Sequence, residues 1–573
     1  MQQIQESDGI STLFRIFAAL KSRLEMKRFV LYNLLFLLVL SGFSQTKPIK
    51  NVIVMIPDGT STSLLSAARW YQHYLDPTQN NLNLDPYIKG LLGTWSSDAP
   101  IGDSAPTTSC YMTGQSSQTG FISTYPVKTD HDLVPVDATR AYQPLATLLE
   151  ASRQMLHKAT GLVFTCEFPH ATPADCAAHS YNRSKYGIIA PQMVYNKVDV
   201  IIGGGTACIR PSDSLFLKEN GYALYYDDYA GMKQCHKAPM WALYNRYSMP
   251  YDMERDPEKY PSLAEMTKKA LELLSPDPDG FFLMIEGSKV DWASHDNDAK
   301  SAITDFLAFD EAFHVAQQFA EKDGHTLIVV IPDHGNSALT IGNTKSNHGY
   351  DKLSLQQIME PLDSYKISTP TMSSKMKEVE TDQWPALFKE YFDIDLQDAE
   401  IEYLQTASDY KKSPIDKEQR KNNLSLTKML SQVIYGRTYF GFTTFGHTAE
   451  DVFTAMYHPK GQEMKGVHTN IELHQYIRKQ MGLADDALEQ LTRDNFADYR
   501  EVFEGFTCSI DSLGPYEYRL TVKNKKKTLV ADSFTNYVTV NKQKQELASV
   551  IIYFPINKTF YLPKELRNLL LAK

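Results

Sequence analysis

Asp291 and His295 stand four positions apart, about one turn of a helix, so on a helix both side chains share a face and can grip one ion. Asp333-His334 follows an apolar run, and His447 opens the segment His447-Thr448-Ala449-Glu450-Asp451. Imidazole and carboxylate together suit zinc, whereas carboxylates with a hydroxyl and water suit magnesium. A lone histidine is more often structural than a ligand. Several of them, each placed after an apolar run, point to a metal centre. Ser104, in Ile101-Gly102-Asp103-Ser104-Ala105-Pro106, reads as a loop leading into a helix. Asp103 or Ser104 can cap that helix, with Pro106 tolerated in its first turn. The same serine can instead present Oγ where helix N–H groups favour an anion, and beside a divalent ion it becomes a nucleophile. This motif alone leaves both roles open.

Such residues need elements to bring them together. Residues 51–56 (NVIVMI), 162–166 (LVFTC), 198–202 (VDVII), 281–285 (FFLMI) and 326–331 (TLIVVI) are near-continuous apolar runs. They suit strands buried on both faces of a parallel sheet. Helical patterns over 145–153, 263–274 and 302–320 lie between them. The alternation predicts an α/β fold, a doubly wound and mainly parallel sheet flanked by helices. Three runs end in acidic groups: Asp58 after the first, Glu286 after the fourth, Asp333 after the fifth. Ligands of open α/β sheets bind beyond the carboxyl ends of the strands, so a site is expected there. Residues 337–440 break the alternation and read as an insertion over the site, with a helical patch at 384–391. Past 465 come a helical stretch, 471–481, and β-like segments at 516–522, 537–540 and 550–554. The division read from this is a leader over 1–45, a main domain over 46–464 and a C-terminal extension of unassigned role over 465–573.

Composition narrows the function. Hydrophobic residues make up 43% of the 573 positions and charged ones 22%, a globular balance that excludes wholesale disorder. A formal charge of −10 disfavours nucleic-acid binding, which rests on Lys and Arg. Met26-Lys27-Arg28 before the apolar run 29–40 and the small-residue exit Ser41-Gly42 read as a secretory signal, with translation starting at Met26. That run is too short to span a bilayer, so a periplasmic or secreted protein with no membrane span is expected. Export also permits disulfides among Cys166, Cys176, Cys208, Cys235 and Cys508, whose pairing the sequence leaves open.

Taken in order, five segments resemble those of the alkaline phosphatase family. Asn51-Val52-Ile53-Val54-Met55-Ile56-Pro57-Asp58-Gly59 is similar to its first metal-binding strand, and Asp103-Ser104-Ala105 to its nucleophile motif. His170-Ala171-Thr172-Pro173-Ala174 with Arg183 resembles the segment of a magnesium ligand and a phosphate-binding arginine. Glu286-Gly287 with Asp291 and His295, and then Asp333-His334 with His447, complete the set.

The resemblance implies two zinc ions and one magnesium ion per chain. Asp291, His295 and His447 hold one zinc; Asp58, Asp333 and His334 hold the second, with Asp58 bridging to magnesium; Thr172 and Glu286 complete the magnesium site. It further implies Ser104 as nucleophile, Arg183 as phosphate clamp, small phosphomonoester substrates and a homodimer. His170 and Trp292 stand near the third metal where some members carry Asp and Lys. Nitrogen at 170 favours zinc or cobalt over magnesium, and an uncharged Trp292 weakens the hold on phosphate. The competing readings are a phosphodiesterase of the same superfamily and a non-catalytic, metal-stabilised binding protein. Against them stand a serine at 104, the absence of a Cys-x-Pro-x-Arg motif, and a complete set of ligands.

Overall fold

The computed structural model describes residues 49–571. The expected signal segment and start at Met26 lie outside them. Among the described residues ten strands form the main sheet. In chain order they are β1 (Asn51–Ile56), β2 (Ile88–Gly93), β3 (Ala159–Glu167), β4 (Val200–Gly204), β5 (Ala223–Tyr226), β6 (Met240–Tyr244), β7 (Phe281–Glu286), β8 (Thr326–Val330), β9 (Val452–Tyr457) and β10 (Gly466–Thr469). Across the sheet they run β10-β2-β9-β8-β1-β7-β3-β4-β6-β5. β9 alone is antiparallel to its neighbours.

All five apolar runs are strands of this sheet, and four of them, β8-β1-β7-β3, are its adjacent central members. Side chains alternate between the two faces. Ile53 and Met55 of β1 pack with Phe306 and Phe309 on one face. Val52, Val54 and Ile56 join Leu149 and Met193 on the other. Each fully buried branched side chain contributes on the order of 1.5–3 kcal/mol, and the two layers leave no polar face on the central strands. Half of the strands escape a search for apolar runs. β2, β5 and β10 are partly exposed. β6 is buried throughout, but Met-Trp-Ala-Leu-Tyr lacks β-branched residues.

Five helices position the site: α1 (Ser104–Thr113), α2 (Leu148–Leu156), α3 (Ala171–Ala177), α4 (Lys289–His295) and α5 (Ala299–Asp323). The pattern at 145–153 started too early; Thr147 caps α2, its hydroxyl accepting from Glu150 N–H while Glu150 Oε2 accepts from Thr147 N–H, each at 3.1 Å. Residues 337–440 add helices and one short strand, Thr340–Ile341, but none to the main sheet, and Met372, Met376, Trp384 and Phe388 from this segment enter the core on the Ile53 face.

The sheet continues past residue 464, because β10 pairs with β2 and the helix Asn470–Gln480 follows it. The five-stranded antiparallel sheet that spans residues 507–546 has its own apolar core of Leu520, Val522, Leu529 and Val538. The disulfides that export would permit are not formed; all six cysteines are free thiols. No helix among the described residues is long and apolar enough to cross a membrane.

Candidate metal centre

The carboxyl ends of β1, β7, β8 and β3 meet at one place. Ile56 of β1 and Phe164 of β3 are both in register with Glu286, so the chain after each strand emerges beside that carboxylate. Asp58 follows β1, Glu286 ends β7, and Asp333-His334 follows β8. α4 opens just after Glu286 and sets Asp291 and His295 on one face, as their spacing requires. His447 arrives on a two-residue strand paired with Gly335-Asn336.

Three histidines are oriented alike. His295 Nδ1 donates to Phe445 O at 2.9 Å, His447 Nδ1 to Gly102 O at 2.8 Å, and His334 Nδ1 to Gly335 O at 3.1 Å. Each therefore keeps its proton on Nδ1 and aims an Nε2 lone pair inward. His295 Nε2 and His447 Nε2 face each other at 3.0 Å. Asp291 lies 3.5 Å from the first and 3.7 Å from the second. His334 Nε2 stands 3.3 Å from Asp333 and 3.6 Å from Asp58. Two lone pairs facing each other beside a carboxylate repel unless a cation lies between them.

The carboxylates make the same demand. Asp58 leaves both oxygens unpartnered, as do Glu286 Oε1 and Asp333 Oδ2. Burial first, then the charges of Asp333, Asp291 and Glu286, push the Asp58 carboxyl well above its usual range. Burial and Asp333 carry Glu286 up to about 7. Burial opposes the charge of Asp291 too, yet His295, His447 and His334 hold it at about 2. Buried charges of this kind persist when paired or metal-bound, and the donor set fits divalent cations. Among the described residues three groups satisfy the geometry of an ion site: Asp291, His295 and His447; Asp58, Asp291 and His334; and Cys166, His170 and Glu286.

Ser104 is the first residue of α1, and its Oγ lies 3.4 Å from His334 Nε2. Asp103 occupies the N-cap position but makes no side-chain cap; its carboxylate pairs instead with the Arg183 guanidinium. The other arm of that guanidinium meets His170 Nε2 at 3.1 Å. Ser104, Arg183, His170, Asp291, Trp292, His295 and His447 all line one cavity of about 700 Å³. The fully buried Thr172 sits in the first turn of α3, against Glu286. The candidate catalytic and metal-ligand residues read from the sequence thus lie at the same end of the sheet.

A family model for alkaline phosphatase matches residues 49–483. The chain belongs to the alkaline phosphatase family. Alkaline phosphatase 3 of Bacillus subtilis is 31% identical over 448 residues, covering 75% of this chain and 88% of the relative. The cold-active alkaline phosphatase of a psychrophilic Shewanella has a crystal structure with a TM-score of 0.63 and 25% identity, covering 75% of this chain and 99% of that one. The alkaline phosphatase of Thermus thermophilus shares the fold with a TM-score of 0.65 at 22% identity, over 78% and 96%. The chain is thus an enzyme of the alkaline phosphatase family, and its described residues include groups that could hold a metal ion.

Several residues that shape this alkaline phosphatase site carry no clear mark in the sequence. Asn336 Nδ2 donates to Asp291 Oδ1 at 2.7 Å and fixes the carboxylate toward the histidines. Asp103 orients Arg183 from 80 positions away, a contact that spacing does not reveal. Lys289, Tyr251 and Pro370 line the cavity, Pro370 coming from the 337–440 segment. The ammonium of Lys289 lies 4.0 Å from the Tyr251 ring centre and 4.2 Å from that of Trp292.

Proposed function

We propose that this enzyme hydrolyses phosphate monoesters through a phosphoserine on Ser104. The reading rests above all on one juxtaposition: a buried serine at a helix start, an arginine fork and converging metal donors share one cavity. Asp291, His295 and His447 would hold one zinc, Asp58, Asp333 and His334 a second, and Thr172 and Glu286 with Asp58 a third ion. Two such ions would supply Lewis-acid stabilisation of the entering and leaving oxygens in an in-line displacement.

The chain's own groups do the rest. Ser104 Oγ attacks phosphorus, forming the serine ester as the bond to the leaving alcohol breaks. The free N–H groups at the start of α1 favour the phosphate oxygens. Arg183 offers two parallel donors to the non-bridging oxygens, with Asp103 fixing its plane. Water then attacks the phosphoserine from the opposite side and Ser104 departs.

The experiment is turnover of a phosphomonoester beside a phosphodiester, before and after chelation and after zinc and magnesium are restored. Ser104→Ala should lower monoester turnover by roughly 10³-fold or more, the scale of losing an activated nucleophile, while zinc content stays unchanged. A preference for the diester, or a near-normal Ser104→Ala enzyme, overturns the proposal.

A further inference from the structure

Cys166 ends the apolar run of β3 and has no part in the metal sets that the resemblance implies. It is fully buried, and its backbone N–H is fixed by Ser288 Oγ at 3.0 Å. That anchor turns the thiol inward, where Sγ donates to Glu286 Oε2 at 3.4 Å. Cys166, His170 and Glu286 each offer one donor atom, and these atoms all lie within 4.8 Å of one another. Glu286 Oε1 and His170 Nδ1 are both buried without a partner. His170 Nε2 accepts from Arg183, which leaves the ring proton on the buried, unpartnered Nδ1; an ion taken up at Nδ1 requires that proton to move to Nε2 and the Arg183 contact to be given up.

We propose that Cys166 is a protein ligand of the third metal site, making it a sulfur–nitrogen–oxygen site that holds zinc in preference to magnesium. This rests on the metal-dependent reading above. Magnesium takes oxygen donors and keeps its waters, whereas thiolate and imidazole select zinc and cobalt. Coordination replaces the S–H···O bond with a sulfur–metal bond and releases the thiol proton to the buffer. It also places the ring proton of His170 on Nε2, where Arg183 no longer donates to it and turns toward phosphate.

The test strips the full-length enzyme with a chelator and titrates it with cobalt. A thiolate-to-cobalt charge-transfer absorption should grow in the near ultraviolet, with one of three cobalt ions per chain. It should vanish in Cys166→Ala and in the nearly isosteric Cys166→Ser. Cys176, whose thiol lies 3.7 Å from Thr172 O, remains in both variants as an internal control. Dialysis against zinc and magnesium together should leave zinc at the third site of the wild type. In either variant the zinc-to-magnesium affinity ratio should fall by about 10–100-fold, the range for altered metal surroundings. Wild-type enzyme that binds cobalt without the band, or a band that survives both substitutions, overturns the assignment. The band needs no substrate, so a protein that shows it yet leaves phosphomonoesters intact would sink the catalytic reading and spare this one.

Discussion

At Gly59 the backbone turns with φ of +60°, and a Cβ there would meet Asp291 Oδ1 at 2.3 Å. The residue after Asp58 is therefore small because the Asp291 side chain, carried on helix α4, occupies the space. Gly59→Ala should displace Asp291 and lower zinc occupancy by about 10–100-fold in affinity, with circular dichroism unchanged. Metal analysis after gel filtration reads this out, and full zinc content would refute it. The paired guanidinium of Arg183 makes a second case. Arg183→Ala should weaken inhibition by inorganic phosphate by about 1.5–3 kcal/mol, the worth of a hydrogen bond to a charged group. Asp103→Asn should do so more mildly, since it only loosens the fork; identical phosphate inhibition in all three forms would mean Arg183 points elsewhere. Asp58, Glu286 and Asp333-His334 were legible because they stand at strand ends, and Asp291 with His295 because of their four-residue spacing. Asp103, Asn336 and Cys166 were not, since their contacts cross the fold and no short motif contains both partners.

Burial alone did not make a strand legible, since β6 and β9 are buried almost throughout and yet escape the search for apolar runs. Strands buried on both faces, such as β1, β7 and β8, announce themselves as unbroken apolar runs. The exposed edges β5 and β10 dilute the same signal with polar or small residues. Helix ends follow local chemistry, so α2 begins where Thr147 and Glu150 form a reciprocal cap, not where the apolar pattern begins. Thr147 Oγ1 also donates to Cys176 O at 2.7 Å, tying α2 to the end of α3. Thr147→Ala should lower stability by about 1–2 kcal/mol, the upper range for a lost cap, with turnover per folded molecule unaffected. Urea unfolding followed by tryptophan fluorescence gives the shift in midpoint. The absence of any shift would show that the cap contributes nothing.

For the whole molecule, the gathered carboxylates set a dependence on pH once metal is removed. Burial lifts Asp58 well above its ordinary value of 3.8, and Glu286 from 4.5 to about 7. A carboxyl raised on folding binds more protons folded than unfolded, so its contribution is full below the unfolded value and is lost as pH climbs through the folded one. These two carboxyls should therefore cost the metal-free enzyme stability between about pH 4.5 and 7. His170 and His447, lowered by burial from 6.5 to about 4, act in the opposite sense up to about pH 6.5, so zinc should restore most at the alkaline end. Thermal unfolding of stripped and zinc-loaded protein across that window decides it; parallel curves would mean that these acids do not govern stability.

β9 lies between β2 and β8, although it follows β8 by well over a hundred positions in the chain. During synthesis β2 leaves the ribosome early and waits without a sheet neighbour, for both strands that flank it, β9 and β10, are made late. His447 emerges immediately ahead of β9, after Asp58, Asp291, His295, Asp333 and His334 are already out. The last ligand and the strand that closes the sheet thus appear together. A growing polypeptide thus lacks both the bridge between β2 and β8 and the last of the candidate ligands until residues 447–457 are made, with β10 still to follow.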